Sequence, residues 1–315
     1  MLSIVLINTI GLLAKSTVAR TQMLNDNQTI MTNFQKLKSP VEMNVNGQKI
    51  VWGDLSRWVL FAGPDIIEDE GMVIEVAQEL KRLTTEMNIP WILKCSYDKA
   101  NRQSSESFRG PGVDQALASF ARIKAKVGCP ILTDVHETIQ VERVAEVADV
   151  IQIPAFLCRQ TDLVVEVAKT KKVMHIKKGQ FMAPTDMESI VKKAKMAGND
   201  KVLLCERGTT FGYHRLINDM TGLVDMRATG KPVIMDITHS TQMPGAAGGK
   251  SGGRREMAPV LARAAMAVGV DGIFVETHPN PDSALCDGPT SIALKDMKSL
   301  LQQVENIWKI HTKHD

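Results

Sequence analysis

From Trp58 onward, the spacing of apolar and polar positions alternates repeatedly between two periods. Short, mostly apolar runs read as buried strands: VLFAG (59–63), WILKCS (91–96), PILTDV (130–135), VIQIPA (150–155), VMHIKK (173–178), KVLLCER (201–207), PVIMDITHS (232–240) and GIFVETH (272–278). Between them, apolar residues recur at helical spacing, most clearly in GMVIEVAQELKRLTTEM (71–87) and VDQALASFARIKAKV (113–127). The same spacing predicts helices near 138–146, 161–170, 185–197, 215–228, 254–268 and 291–310. Eight βα units over roughly 260 residues match a (β/α)8 TIM barrel, which takes about 250. A doubly wound open sheet also alternates strand and helix, but no GxGxxG follows the first strand. The barrel is therefore the expected fold.

Upstream of the barrel, MNVNGQKIVW (43–52) places Asn-Gly between alternating side chains, the pattern of a β-hairpin. Residues 1–42 read as an N-terminal extension, poorly ordered or preceding the true start, with Met23 or Met31 as alternative first residues. The apolar stretch Leu2 to Leu13 is shorter than the roughly 20 residues a bilayer span takes. No cation precedes it, so it does not match a secretory signal. Lys15 and Arg20, with no acidic residue before Asp26, leave an organelle-targeting reading open. Residues 43–315 are taken as one catalytic domain.

Composition narrows the function classes. The 315 residues are 44% hydrophobic and 23% charged with a net charge of +3, which suggests neither nucleic acid nor membrane as the main partner. Five dispersed cysteines with no CxxC pair read as reduced thiols in a cytoplasmic enzyme, not as a zinc module.

In a barrel the chemistry lies at the C-terminal ends of the strands. Here those ends carry Asp65, the run Lys94 to Arg102, Asp134 with His136, Gln152, Lys177 with Lys178, Glu206 with Arg207, Asp236 with His239, and Glu276 with His278. Asp287 follows in the loop beyond. A single polar strand end is routine, but eight together suggest a site. Lys94, Lys99, Arg102, Lys177 and Arg207 form a cationic set suited to phosphorylated ligands. Asp65, His239, Glu276 and Asp287 form a second set, of types able to hold a divalent metal or position water. No Ser or Cys stands in an elbow-like turn, which disfavours a hydrolase. The Gly-rich stretch GAAGGKSGGRRE (245–256) lacks P-loop spacing and reads as a mobile basic lid opening a helix.

The motifs DKANR (98–102), IPAFLCRQTDL (153–163), IKKGQF (176–181), ERGTTFGY (206–213), DITHSTQ (236–242), SGGRRE (251–256), ETHP (276–279) and CDGP (286–289) occur in one order. Together they resemble the 3-deoxy-D-manno-octulosonate 8-phosphate synthases, of the family shared with class I DAHP synthases, over roughly residues 44–305. The resemblance implies a homotetrameric barrel that condenses phosphoenolpyruvate with D-arabinose 5-phosphate and water. It places phosphoenolpyruvate at Lys94, Ser96, Lys99, Gln152, Lys177 and Arg207, and the sugar phosphate at Asn101, Arg102, Gln103 and Asp134, with His136 beside them. Asp65, Asn101, His239 and Asp287 are the implied catalytic positions, and His239, Glu276 and Asp287 match three metal ligands of the metal-dependent branch.

Some positions depart from the family pattern. Asp65 stands where the metal-dependent branch has Cys and the metal-independent branch Asn. CDGP followed by Ala293 fits the metal-independent pattern while AGP fits the other, and the expectation taken is that no cofactor is required, with Mn2+ or Mg2+ as the alternative. Gln103 replaces a small hydroxyl residue, and His214 with Arg215 replaces Asn-Asn. Two rival readings remain: the related synthase acting on erythrose 4-phosphate, which Ala100 and Asn101 disfavour, and a barrel that binds phospho-ligands without catalysis.

Overall fold

A computed structural model of the chain describes residues 35–101, 107–210, 212–247 and 250–312. The expected extension therefore lies outside the described residues as far as residue 34, as do Arg102 and Gln103. Structure begins two residues before the predicted hairpin, with β1 (Val41–Val45) pairing antiparallel to β2 (Gln48–Trp52). Asn46 and Gly47 make the turn with φ of 51° and 77°, the positive values that an Asn-Gly turn supplies at little cost. One face of the hairpin, Val41, Met43, Ile50 and Trp52, is buried.

That face closes the lower end of a barrel. Its eight parallel strands are β3 (Val59–Gly63), β4 (Trp91–Lys94), β5 (Ile131–Asp134), β6 (Val150–Ile153), β7 (Val173–Lys177), β8 (Val202–Glu206), β9 (Val233–Asp236) and β12 (Gly272–His278). They pair in sequence order, and β12 joins both β3 and β9 to close the ring. Their helices are α1 (Glu70–Glu86), α2 (Val113–Val127), α3 (Val141–Val147), α4 (Thr161–Lys169), α5 (Met187–Met196), α6 (Met220–Arg227), α7 (Ala258–Val268) and α8 (Met297–Thr312). The barrel expected from the alternation is the fold.

Inward-facing residues follow the two-residue period of a strand. Val59, Phe61, Ile92, Leu132, Val150, Val173, Leu203, Cys205, Ile234 and Phe274 form one cluster with the hairpin's apolar face. Trp52 stacks on Phe61 with ring centroids 6.0 Å apart. Two positions further along several of the same strands, the inward residues are Lys94, Asp134, Gln152, Asp236 and Glu276, and on β7 Lys177 follows inward His175, all of them buried.

The predicted elements differ from the observed ones mainly where a side chain turns the backbone early. β6 stops at Ile153 because Pro154 follows and has no N–H for the ladder. β9 stops at Asp236, whose Oδ1 accepts from Thr238 N and His239 N at 3.1 and 2.9 Å and so curls the chain. The helix predicted from 215 starts at Met220, capped by Asp219 accepting from Thr221 N, because Ile217 is bridged to Thr209. The helix predicted from 254 starts at Ala258, and the Gly-rich stretch before it belongs to a hairpin of β10 (Gln242–Ala247) and β11 (Lys250–Gly253). β13 (Ile292–Ala293) pairs with the end of β12 and takes the start of the last predicted helix.

Candidate active site

Gly63 ends β3, and a Cβ there would run into the carbonyl of Lys94. Its absence lets the turn after β3 lie against the end of β4, which brings Asp65 to Lys94. Lys94 Nζ donates to Asp65 O at 2.9 Å, to Asp65 Oδ1 at 3.1 Å and to Glu276 Oε1 at 2.5 Å. Lys99, from the loop after β4, pairs with the same Oδ1 and donates to Ser96 Oγ at 3.0 Å. The cationic and acidic sets that the sequence separates are thus one interleaved cluster, with lysines between the carboxylates.

A second group adjoins it. Lys177 Nζ donates to Asp236 Oδ2 at 2.5 Å, and His239 Nδ1 lies 2.8 Å from that oxygen. We assign the Nδ1 proton to this bond, which leaves His239 Nε2 as an acceptor 3.5 Å from Glu276 Oε1 and 3.7 Å from Asp287 Oδ2. Burial, only partly opposed by Asp236, lowers the His239 pKa to about 4, so the ring is neutral at neutral pH. Arg207 Nη2 donates to Gln242 Oε1 at 2.7 Å, and Gln242 Nε2 donates to Asp287 Oδ2 at 2.9 Å.

Burial opposes ionisation of Asp65, Glu276 and Asp134, and the neighbours decide the outcome. For Asp65, Lys99 and Lys94 outweigh burial and hold the carboxyl well below its usual range. For Glu276, burial and the charge on Asp65 outweigh the same lysines and drive it well above. One negative charge beside two ammonium groups is therefore the favoured state of this pair. Asp134 is held low against burial by His136, 3.0 Å away, and by Lys99 and Lys94.

Of thirteen buried side-chain polar atoms with no hydrogen-bond partner among the described residues, six stand here: Asp65 Oδ2, Asp134 Oδ1, His136 Nδ1, Gln152 Oε1, Arg207 Nη1 and Glu276 Oε2. All six belong to predicted site positions. Unpaired buried polar atoms are costly, so their concentration in one mouth points to a ligand. Asn101 is exposed on the described edge of its loop and joins no contact of the cluster.

Asp65, His239, Glu276 and Asp287 each offer a ligand atom within 4.8 Å of the others. Three carboxylates and an imidazole suit a hard divalent cation, and the open Asp65 Oδ2 and Glu276 Oε2 are available to one. The donor set fits. All five cysteines are free and buried, with burial raising each thiol pKa, Cys129 to about 12, so none is a poised nucleophile.

Sequence reasoning names Asp236 at its strand end but gives it no role, and it leaves out Gln242 and Phe274. Gln242 lies inside the DITHSTQ motif and could have been picked from it, whereas Phe274 reads only as core. A cavity of about 300 Å3 lies outside the cluster, lined by Arg215, Leu216, Ser240, Gln242, Arg254 and Met257 among others. It touches the cluster's residues only at Gln242.

A parallel (β/α)8 barrel with buried lysines, arginine and open polar valences at its mouth has the form of an enzyme and suits phosphorylated or carboxylated small molecules. The model of the DAHP synthetase I family matches residues 30–312, and the chain belongs to that family. It is 50% identical over 255 residues to the 2-dehydro-3-deoxyphosphooctonate aldolase of Legionella pneumophila (strain Lens), covering 81% of this chain and 93% of that protein. The proteins of the same name from Hydrogenovibrio crunogenus and Acidithiobacillus ferrooxidans (strain ATCC 53993 / BNL-5-31) are 51% and 52% identical. Those matches cover 81% and 79% of this chain, and 92% and 88% of the relatives.

Proposed function

We propose that the chain condenses phosphoenolpyruvate with D-arabinose 5-phosphate and water, giving 3-deoxy-D-manno-octulosonate 8-phosphate and inorganic phosphate, a step toward lipopolysaccharide. The observation that carries this reading is the convergence of Lys94, Lys99, Lys177 and Arg207 on one mouth, in a chain about half identical to enzymes named for this product. These four cations bind the carboxylate and phosphate of phosphoenolpyruvate, and Gln152 Oε1 and Arg207 Nη1 supply open polar contacts. Asp134, His136, Asn101, Arg102 and Gln103 take the sugar phosphate, so that C3 of phosphoenolpyruvate faces the aldehyde.

The C3–C1 bond forms as the aldehyde oxygen gains a proton. Water adds at C2 and loses a proton, and the C–O bond to phosphate breaks as C2 becomes a ketone. His239 Nε2 and the Asp65 carboxylate are the acceptors that orient the water, with the protonated Glu276 carboxyl beside them. Buried ammonium groups stabilise the negative charge that develops on oxygen.

Asp65, His239, Glu276 and Asp287 would hold a divalent cation, which would polarise the aldehyde when bound. The reading preferred here is turnover without one, since Lys94 and Lys99 already neutralise Asp65 and Glu276 is held protonated beside it. The enzyme acts as a cytoplasmic homotetramer in this reading. No helix among the described residues is long and apolar enough to cross a membrane. Phe156, Phe181 and Tyr213, exposed on the loops after β6, β7 and β8, favour a subunit contact there.

One assay tests both parts. Phosphate release from phosphoenolpyruvate is followed with arabinose 5-phosphate or erythrose 4-phosphate, with and without EDTA. Release that requires arabinose 5-phosphate and persists in EDTA is expected. Turnover of erythrose 4-phosphate alone would overturn the substrate assignment, and loss in EDTA with rescue by Mn2+ would overturn metal independence.

A further inference from the structure

Phe274 belongs to the apolar cluster of the barrel interior, yet its ring also meets the charged mouth. Lys177 Nζ lies 3.8 Å from the ring centroid and Lys94 Nζ 5.5 Å from it. Both ammonium groups and the ring are buried. At such distances, a cation over an aromatic face gains from the ring quadrupole, and the gain grows when water is excluded.

We infer that Phe274 is a positioning residue for the condensation, its ring face fixing the ammonium group of Lys177 where phosphoenolpyruvate binds. The inference rests on the proposed reaction and names a determinant of its first substrate. Lys177 has three N–H bonds to place. Asp236 Oδ2 takes one at 2.5 Å and the ring face a second, which leaves the third for a ligand oxygen. His239 Nδ1, 3.3 Å away, donates its own proton to Asp236 and does not compete for that third bond. Lys94 differs: its three N–H bonds go to Asp65 O, Asp65 Oδ1 and Glu276 Oε1, and the ring, 5.5 Å away, adds only a longer contact.

The environment of the ring supports this role. His175 stacks on Phe274 with centroids 5.6 Å apart and planes at 24°. Burial lowers the His175 pKa to about 3, so this neighbour stays neutral. A purely packing role would need only an apolar body of this volume.

The experiment replaces Phe274 in the full-length enzyme with 4-fluoro-, 3,5-difluoro- and 3,4,5-trifluorophenylalanine. This series drains charge from the ring face while nearly keeping its shape. kcat/KM for phosphoenolpyruvate is expected to fall stepwise, by roughly tenfold at the trifluoro ring, with the melting temperature and the KM for arabinose 5-phosphate nearly unchanged. Phe274→Leu, apolar without a π face, is expected to lose at least as much as the trifluoro ring. Phosphoenolpyruvate kinetics that stay flat along the series would overturn the inference, as would a loss that tracks the melting temperature. Calorimetric binding of phosphoenolpyruvate to the same variants reads the effect separately. A failed reaction assignment, seen as no sugar-dependent turnover in the unmodified enzyme, is thereby distinguished from a failed role for the ring.

Discussion

Ile92 and Lys94, Leu132 and Asp134, Ile234 and Asp236, and Phe274 and Glu276 stand two positions apart on four strands, and all eight are buried. The first member of each pair packs in the apolar floor that the hairpin closes, while the second belongs to the charged mouth. The floor gains from every square ångström of apolar area removed from water. The mouth takes its charges out of water at a cost, and mutual pairing returns only part of it. Its six unpartnered polar atoms show the remainder. One barrel thus separates the two tasks by a single strand period: the floor supplies stability, and the mouth holds incompletely paired buried groups that a ligand satisfies.

Removing a mouth charge should break function far more than folding. For Lys177→Ala, we expect kcat/KM to fall by roughly 10²–10³-fold, the scale for losing one preorganised electrostatic contact. Asp236 keeps His239 and its contacts with Thr238 N, Thr238 Oγ1 and His239 N, so the carboxylate is not left bare. Steady-state kinetics beside a thermal melt would check this, and near-normal turnover would remove Lys177 from the site.

The floor should respond in reverse. Trp52 is fully buried and stacked on Phe61, and its Nε1 has no hydrogen-bond partner among the described residues, so truncation costs packing alone. Trp52→Ala is expected to destabilise the fold by about 3–5 kcal/mol, the usual cost of emptying a large aromatic site. The kcat per folded molecule should change little. Urea titration followed by an active-site count separates the two, and a kcat loss matching that of Lys177→Ala would show that floor and mouth are not independent.

The same division decides what could be read from the residues. The floor follows the two-residue apolar period, so the eight strands and the Asn46-Gly47 hairpin were legible. Strand ends announced Lys94, Asp134, Lys177 and Glu276 as charges where the period predicts core. Their partners were not legible, because Lys94 meets Glu276 across 182 residues and Arg207 meets Gln242 across 35. Phe274 was hidden for another reason. A Phe at an inward position satisfies the core pattern completely, and only the barrel's closure brings the ring under two ammonium groups. The Gly-rich stretch reads as a lid from its missing P-loop spacing and its basic residues, and its strand pairing is hidden because glycine has low strand propensity, although part of it pairs as β10 and β11.

Two buried aspartates give the smallest effect and the sharpest form of the comparison. At the mouth, Asp134 has its pKa lowered: burial opposes, but His136, Lys99 and Lys94 prevail. At the floor, Asp271 has its pKa raised: burial prevails although Arg227 and the amide of Val233 bind the carboxylate. The signs follow from linkage. The depressed pKa of Asp134 stabilises the fold above the unfolded value of about 3.9, and that contribution is lost as pH falls through the folded value. The raised pKa of Asp271 does the opposite. Its ionised form costs stability at neutral pH, and the cost is relieved as pH falls through the raised folded value toward about 3.9. Within a range of about pH 2 to 6, Asp134→Asn should therefore flatten the rise of stability with pH below about 4, while Asp271→Asn should steepen the change above about 4. Urea midpoints measured across that range report the slope, and slope is the proper readout because each substitution also removes a hydrogen bond at every pH. Equal slopes in both variants would mean that the mouth's cations do not outweigh burial at Asp134, and the electrostatic contrast between the two ends of the barrel would fail.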